Sequence, residues 1–370
     1  MLLRKIIAIA TIAVGCLGGN VFAQSTAAQP AAPEAAAADT QPTDNSAQAT
    51  INWSSISSFD SGTQSSVALH PNGLIVEVHS SGPIGYSGLW YHIGKLEPGA
   101  TRPVTWGPSH KFVPESMPGA WPSVAITQEG YVVIIWSNSF HKSGSVLRYS
   151  VGTLDPALGT NQVINFKLMN VQFDNGFHNS LAVNYNGTIV EAHEGNGGKG
   201  MYYRIGYLTL PSKNDFSITW TSGQAGVLYD NGINPHIAIN NNNDVVEVHQ
   251  VGSDDQRLHY LRAKLLPGSI SFLPPPAPRY DNYAYIPTVA LLNDLYVVET
   301  NYSQPSRYLY RPQYRVGLFD KSDPNKINWG NATNIADSNR EPGGLATNGS
   351  YLLATFISAD TLYYSWATAP

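Results

Sequence analysis

The sequence predicts an all-β fold, a six-bladed β-propeller of four-stranded blades in which the N-terminal strand completes the last blade. Three observations predict it. An alanine-bearing phrase recurs at Ala68, Ala125, Ala182, Ala238, Ala290 and Ala346, in steps of 57, 57, 56, 52 and 56 residues. The position of Glu77 recurs as Ile134, Glu191, Glu247, Glu299 and Ala354, in steps of 57, 57, 56, 52 and 55. Two markers in one register define stacked supersecondary units. Third, the chain ends are complementary. An aromatic fourth strand, marked by Trp106, Phe166, Trp220, Phe272 and Trp329, occurs once more at Ile51-Asn52-Trp53, before any first strand, whereas the last repeat stops at its third strand, Leu362-Tyr363-Tyr364-Ser365-Trp366. Joining the two leaves no open sheet edge.

Residues 1–23 open with Arg4 and Lys5, run apolar over 6–14 and end in small residues before Gln24. This is the pattern of a secretory signal peptide, with an apolar core too short to span a membrane, and no transmembrane segment follows it. Ala13-Val14-Gly15-Cys16 resembles a bacterial lipoprotein box, with alanine in place of the large aliphatic residue. Two fates are therefore open. Cleavage after Ala23 gives a secreted or periplasmic protein; lipidation at Cys16 gives an outer-membrane or cell-surface lipoprotein. Residues 24–49 are Ala, Pro, Gln, Thr, Ser and Asp almost throughout, too poor in large apolar side chains to offset their ordering entropy, and are expected to be a disordered linker. Residues 50–370 form the propeller. Cys16 is the only cysteine, so this domain depends on its core rather than on disulfides.

Each repeat reads as four strands. In the first these are Ser66-Val67-Ala68-Leu69, Leu74-Ile75-Val76-Glu77-Val78-His79, Leu89-Trp90-Tyr91-His92-Ile93-Gly94 and Val104-Thr105-Trp106. Apolar, aromatic and β-branched residues dominate them, and no helical period persists for three turns. Asn72-Gly73, Glu129-Gly130, Asn186-Gly187 and Asn348-Gly349 supply the hairpin turns, where positive φ is needed.

Polar repeats gather where the second-to-third-strand loops and the interblade loops open on one face. The interblade loops carry Asp60, Asp174, Asp230, Asp281 and Asp337, mostly as aromatic-Asp-x-Gly. The second strands carry Glu77 with His79, Glu191 with His193 and Glu247 with His249, each pair two apart and so on one side of its sheet. Trp90, Tyr202 and His259 begin the corresponding third strands. The pair weakens to Glu299 with Asn301 and is replaced by Ile134 with Trp136 and Ala354 with Phe356. Blades one, three and four are thus expected to hold equivalent ligand sites. A structural alternative stands beside this: a strand-three tyrosine present in every blade would satisfy buried glutamates, and the aspartates would form turns.

The repeat phrase resembles the blades of bacterial secreted propellers, including lectin-like modules, over nearly all of the chain after Ala49. The resemblance implies the architecture and leaves the activity open. The Ser-x-Asp-x-Gly-x-x-Trp box of sialidases, the Asp-rich calcium repeats of integrin-like blades and Trp-Asp dipeptides are absent. So are metal-protease spacings, phosphate loops and a Gly-x-Ser-x-Gly elbow, so neither metal nor cofactor is expected. A net charge of -5 with scattered Lys and Arg argues against nucleic acid. With 11% aromatic and 13% charged residues, the composition suits a glycan or other polyhydroxy ligand. The expectation is a multivalent lectin-like protein with shallow sites on one face. A hydrolase of glycosidase or lactonase type with one central-channel site, and a protein-interaction scaffold, are the alternatives.

Overall fold

The computed structural model describes residues 49–370 apart from 83–87, 115–118, 140–142, 199, 210–215, 222–225, 254, 273–278, 282–283, 293–294, 307–308 and 338. The expected signal peptide, Cys16 and all but the last residue of the linker lie outside the described residues. Six antiparallel sheets, each with four strand positions counted outward from the axis, form the six blades of a propeller, the outer position of blade six being filled from the N-terminal end. Blade one comprises Thr63–Leu69, Leu74–Ser80, Leu89–Leu96 and Val104–Val113. In blades three to five the outer strand is interrupted, as in Ser217–Trp220 followed by Val227–Asp230, both paired to Met201–Thr209.

The core lies between the blades. Six apolar clusters fill the six interfaces; one joins Val76, Val78 and Ile93 of blade one to Val124, Val132 and Ile134 of blade two. Each second strand is sandwiched on both faces, so Leu74, Ile75, Val76 and Val78 are all fully buried. Burial of such a side chain is worth about 1.5–3 kcal/mol, and burial runs unbroken along the strand rather than alternating.

The chain ends meet as expected, in two pieces. Trp53 bridges Ala367 and the Ser54 amide donates to the Trp366 carbonyl at 2.8 Å; the regular strand follows later, at Ser57–Ser61, paired with Thr361 to Tyr364. The expected strand at 51–54 is therefore only the first segment of an interrupted outer strand like that of blade three. Its place is fixed by a clamp that the strand-three tyrosines repeat. The Tyr91, Tyr260 and Tyr314 hydroxyls accept from the amides of Ile164, Ile327 and Ile51 at 3.1, 3.2 and 3.1 Å, each on the outer strand of the following blade. Tyr203 holds Ile270 in the same way. These phenols thus bond to backbone, not to the second-strand glutamates that sequence reasoning offered them. Tyr314 also donates to the Ile51 carbonyl at 3.2 Å.

Tyr314→Phe leaves the Ile51 amide without its buried partner. It is expected to lower the unfolding free energy by about 1–2 kcal/mol in urea titration.

Candidate functional site

The residues singled out in the sequence come together in blades one, three and four, across blade interfaces and not on an open face. Asp60, on the outer strand of blade six, lies 2.6 Å from His92 Nε2 and 3.7 Å from His79 Nε2 of blade one. Asp174, from blade two, is 4.0 Å from His193 Nε2 of blade three, and Asp230, from blade three, is 3.8 Å from His249 Nε2 of blade four. Behind each ring stands its glutamate. Nδ1 of His79, His193 and His249 faces Glu77, Glu191 and Glu247 at 3.0, 3.0 and 2.9 Å. The glutamates are 0% and the histidines 1% exposed, so neither can form a shallow surface site as the structure stands. Burial follows from position. The histidine packs edge-on to the backbone of the glycine in aromatic-Asp-x-Gly, where a Cβ at Gly62, Gly176 or Gly232 would come within 2.6, 2.5 or 2.7 Å of the ring.

The third-strand residues flank these locks. Tyr202 stacks on His193 at 5.7 Å, and His259 lies 5.7 Å from His249. Trp90 pairs across the sheet with His79 and carries Lys111 over its ring at 5.1 Å. Burial opposes a charge on His79, His193 and His249, yet the adjacent glutamate and aspartate overcome it and hold all three pKa values above the ordinary range. His259 shows the reverse: burial, then the neighbouring His249, push it down to about 4. Elsewhere the lock is apolar, as where Phe112 of blade one meets Trp136 of blade two at 5.7 Å. Asp337 sits in an exposed loop, and the Asp281 side chain lies outside the described residues.

A second constellation, not named from the sequence, rings one mouth of the central channel. The first strand of every blade carries a β-bulge at its start. In blades one to five the bulge holds a non-glycine residue in the left-handed region: Gln64, Trp121, His178, Asn234 and Ile286, with φ of 53, 52, 47, 53 and 45°. Left-handed backbone is costly for such residues, most of all for β-branched isoleucine. Blade six places Pro342 at the corresponding position, four residues before its alanine. The mouth cavity has a volume of about 240 Å3. The far end of the channel, among the hairpin turns, holds one of about 320 Å3.

Hydrogen bonds tie the mouth together from blade to blade. Gln64 Oε1 accepts from the Trp121 amide at 3.0 Å and from Ser80 Oγ at 3.1 Å. Trp121 meets the His178 ring at 4.0 Å, nearly perpendicular. His178 Nδ1 bonds to Glu194, which also accepts from the Asn234 amide at 2.7 Å. Both ends of the Asn179 amide and Glu194 Oε2 are buried without a protein partner. Blades five and six supply Ile286, Pro287, Pro342 and Ile357, an apolar arc, beside Glu341, whose carboxyl burial holds above its usual pKa. His236, also at the mouth, is pushed by burial down to about 4. One signal in the sequence marks this ring: four residues before each repeat alanine stand six different residues.

No family model matches the chain, and no curated protein matches it. Solved structures do. A protein of unknown function from Dyadobacter fermentans superposes with a TM-score of 0.55 at 12% identity, over 86% of this chain and 99% of that one. A glucose dehydrogenase gives 0.51 at 13%, over 86% and 100%, and an α-L-arabinanase from Penicillium chrysogenum, complexed with arabinobiose, gives 0.51 at 11%, over 86% and 98%. At these identities the likeness is one of fold.

Two outcomes test the buried locks. Glu247→Ala alone strands His249 and is expected to cost about 3–5 kcal/mol, whereas Glu247→Ala with His249→Phe, the pairing blade six already uses, costs far less. Because the folded pKa of His249 is raised, its stabilisation is full below about pH 6.5 and lost as pH rises through the folded value. Urea titrations at pH 6 and 9 are therefore expected to show a smaller alkaline loss in the double variant than in wild type.

Proposed function

We propose that this chain is a carbohydrate-binding propeller with one asymmetric site at the channel mouth, and that Asp60, Glu77, His79 and their counterparts in blades three and four support the blades behind it. The observation that carries this reading is the ring of bulges. A purely structural repeat would fill a left-handed position with glycine or asparagine in every blade. Here the same backbone displays Gln64, Trp121, His178 and Ile286 at an energetic cost, beside Asn234, without repetition. Such a ring suits a ligand that is itself unsymmetrical. The polar arc of Gln64, His178, Asn179 and Asn234 offers hydrogen bonds to hydroxyls, and Trp121 with the apolar arc offers faces for a sugar ring. The leader supports display outside the cytoplasm, as a released protein or on a lipid anchor at Cys16.

Glu341 favours a second reading, hydrolysis of a glycoside at the same mouth. Burial raises the pKa of its carboxyl, which is the direction a general acid needs.

Calorimetry with the best ligand from a glycan array is expected to give one site per chain, lost in Trp121→Ala and unchanged in His259→Gln. Several equivalent sites, reduced one at a time by His79, His193 and His249 substitutions, would instead establish the multivalent lectin. Chromogenic aryl glycosides separate binding from hydrolysis: under the second reading Glu341→Gln lowers turnover at least about 100-fold while the ligand still binds.

A further inference from the structure

We propose that Asp60, His79 and His92 bind one Zn2+ ion, which staples the closing strand of the ring to blade one. Their ligand atoms all lie within 4.8 Å of one another. The outer nitrogens decide what those atoms are. His79 Nδ1 faces the Glu77 carboxylate at 3.0 Å, and His92 Nδ1 faces the Gly107 carbonyl at 3.0 Å. Carbonyl and carboxylate oxygens only accept, so both Nδ1 atoms carry hydrogen, and His92 Nε2, which donates to Asp60 Oδ2 at 2.6 Å, becomes a ligand together with His79 Nε2 by releasing its hydrogen as the metal enters. Three potential ligand atoms converging, with each ring held from behind by an acceptor, is how proteins orient histidines to a metal. Two imidazoles and a carboxylate suit Zn2+, with water completing four-coordination. Asp60, whose side chain is 27% exposed against 2% and 6% for the rings, is the ligand with room to adjust and the side open to that water.

The other copies in the chain isolate the feature. Blades three and four repeat the Asp, Glu and His, but the place of His92 is taken by Arg204 and Leu261. The Arg204 guanidinium lies 3.2 Å from Asp174 and brings its own positive charge, and leucine brings no donor. Among the described residues, only blade one combines three ligands with no fixed cation. It is also the interface that the chain closes last: Asp60 belongs to Ser57–Ser61 of blade six, His79 and His92 to blade one.

The test uses the full chain stripped with chelator, then given zinc chloride and desalted. Elemental analysis is expected to find one zinc ion per chain, and calorimetry a rise of several degrees in Tm. His92→Leu, which copies blade four, and Asp60→Asn, which keeps the shape of a half-buried side chain should the first variant not fold, are each expected to lose that rise and to bind zinc at least about 100-fold more weakly. A wild-type chain that retains no zinc and shows no change in Tm overturns the proposal. So does zinc held as tightly by both variants as by wild type.

Discussion

Everything in this molecule depends on the blade interface, because the second strand of each blade is covered on both faces and must find a partner for whatever it carries. Most of that surface is solved with Val, Ile and Leu. At the position of Glu77 two solutions recur, beside the Glu299 and Asn301 pair of blade five. Where the second strand brings Glu and His, the preceding blade supplies Asp on an aromatic-Asp-x-Gly turn; where it brings Ile134 and Trp136, the preceding blade supplies Phe112. The glycine belongs to the first solution, since its missing Cβ is what lets the imidazole lie against the turn. Polar locks of this kind add little net stability over an apolar packing, and a broken one is costly. They restrict which blade fits against which, and among the described residues three of the six interfaces have them.

The same interface explains why the channel mouth is free to vary. Blade packing is settled by the second and third strands and the tyrosine clamps, and the bulge residues of the innermost strands lie outside the buried core. The bulge turns their side chains toward one another around the axis. Gln64, Trp121, His178 and Asn234 are linked laterally through Glu194 and backbone amides, whereas Ile286 and Pro342 close the ring with apolar surface. A six-fold scaffold thereby presents a site without six-fold symmetry.

The period, the six blades and the closure were legible because strand spacing and turn chemistry are local properties repeated six times. Which residues gather was also legible: Asp60 with Glu77 and His79, and their two copies, meet as their register implied. Exposure was not. Alternation along Val76-Glu77-Val78-His79 looks like a strand with one wet face, and only the packing of whole blades shows that both faces are dry. The mouth escaped notice for the opposite reason. Repetition drew attention to what the blades share, and the mouth is made of what they do not. Positive φ at Trp121 or Ile286 has no signature in residue type, since neither residue favours it. The approach of His92 to Asp60 depends on two neighbouring blades and one unrepeated residue, which a periodic reading averages away.

The clamp between Tyr314 and Ile51 spans 263 residues of sequence. Ile51 is among the first residues of the domain to be synthesised and among the last to find its place, because its partner strands in blades five and six come at the end. Until then blade six lacks its outer strand and blade five has a tyrosine without its amide. Loop closure over such a separation makes folding slow and leaves a sheet edge exposed in every incomplete chain. The ring is therefore an all-or-nothing object in time as well as in space: a chain truncated anywhere before its final strand retains the N-terminal half of a closure it cannot make.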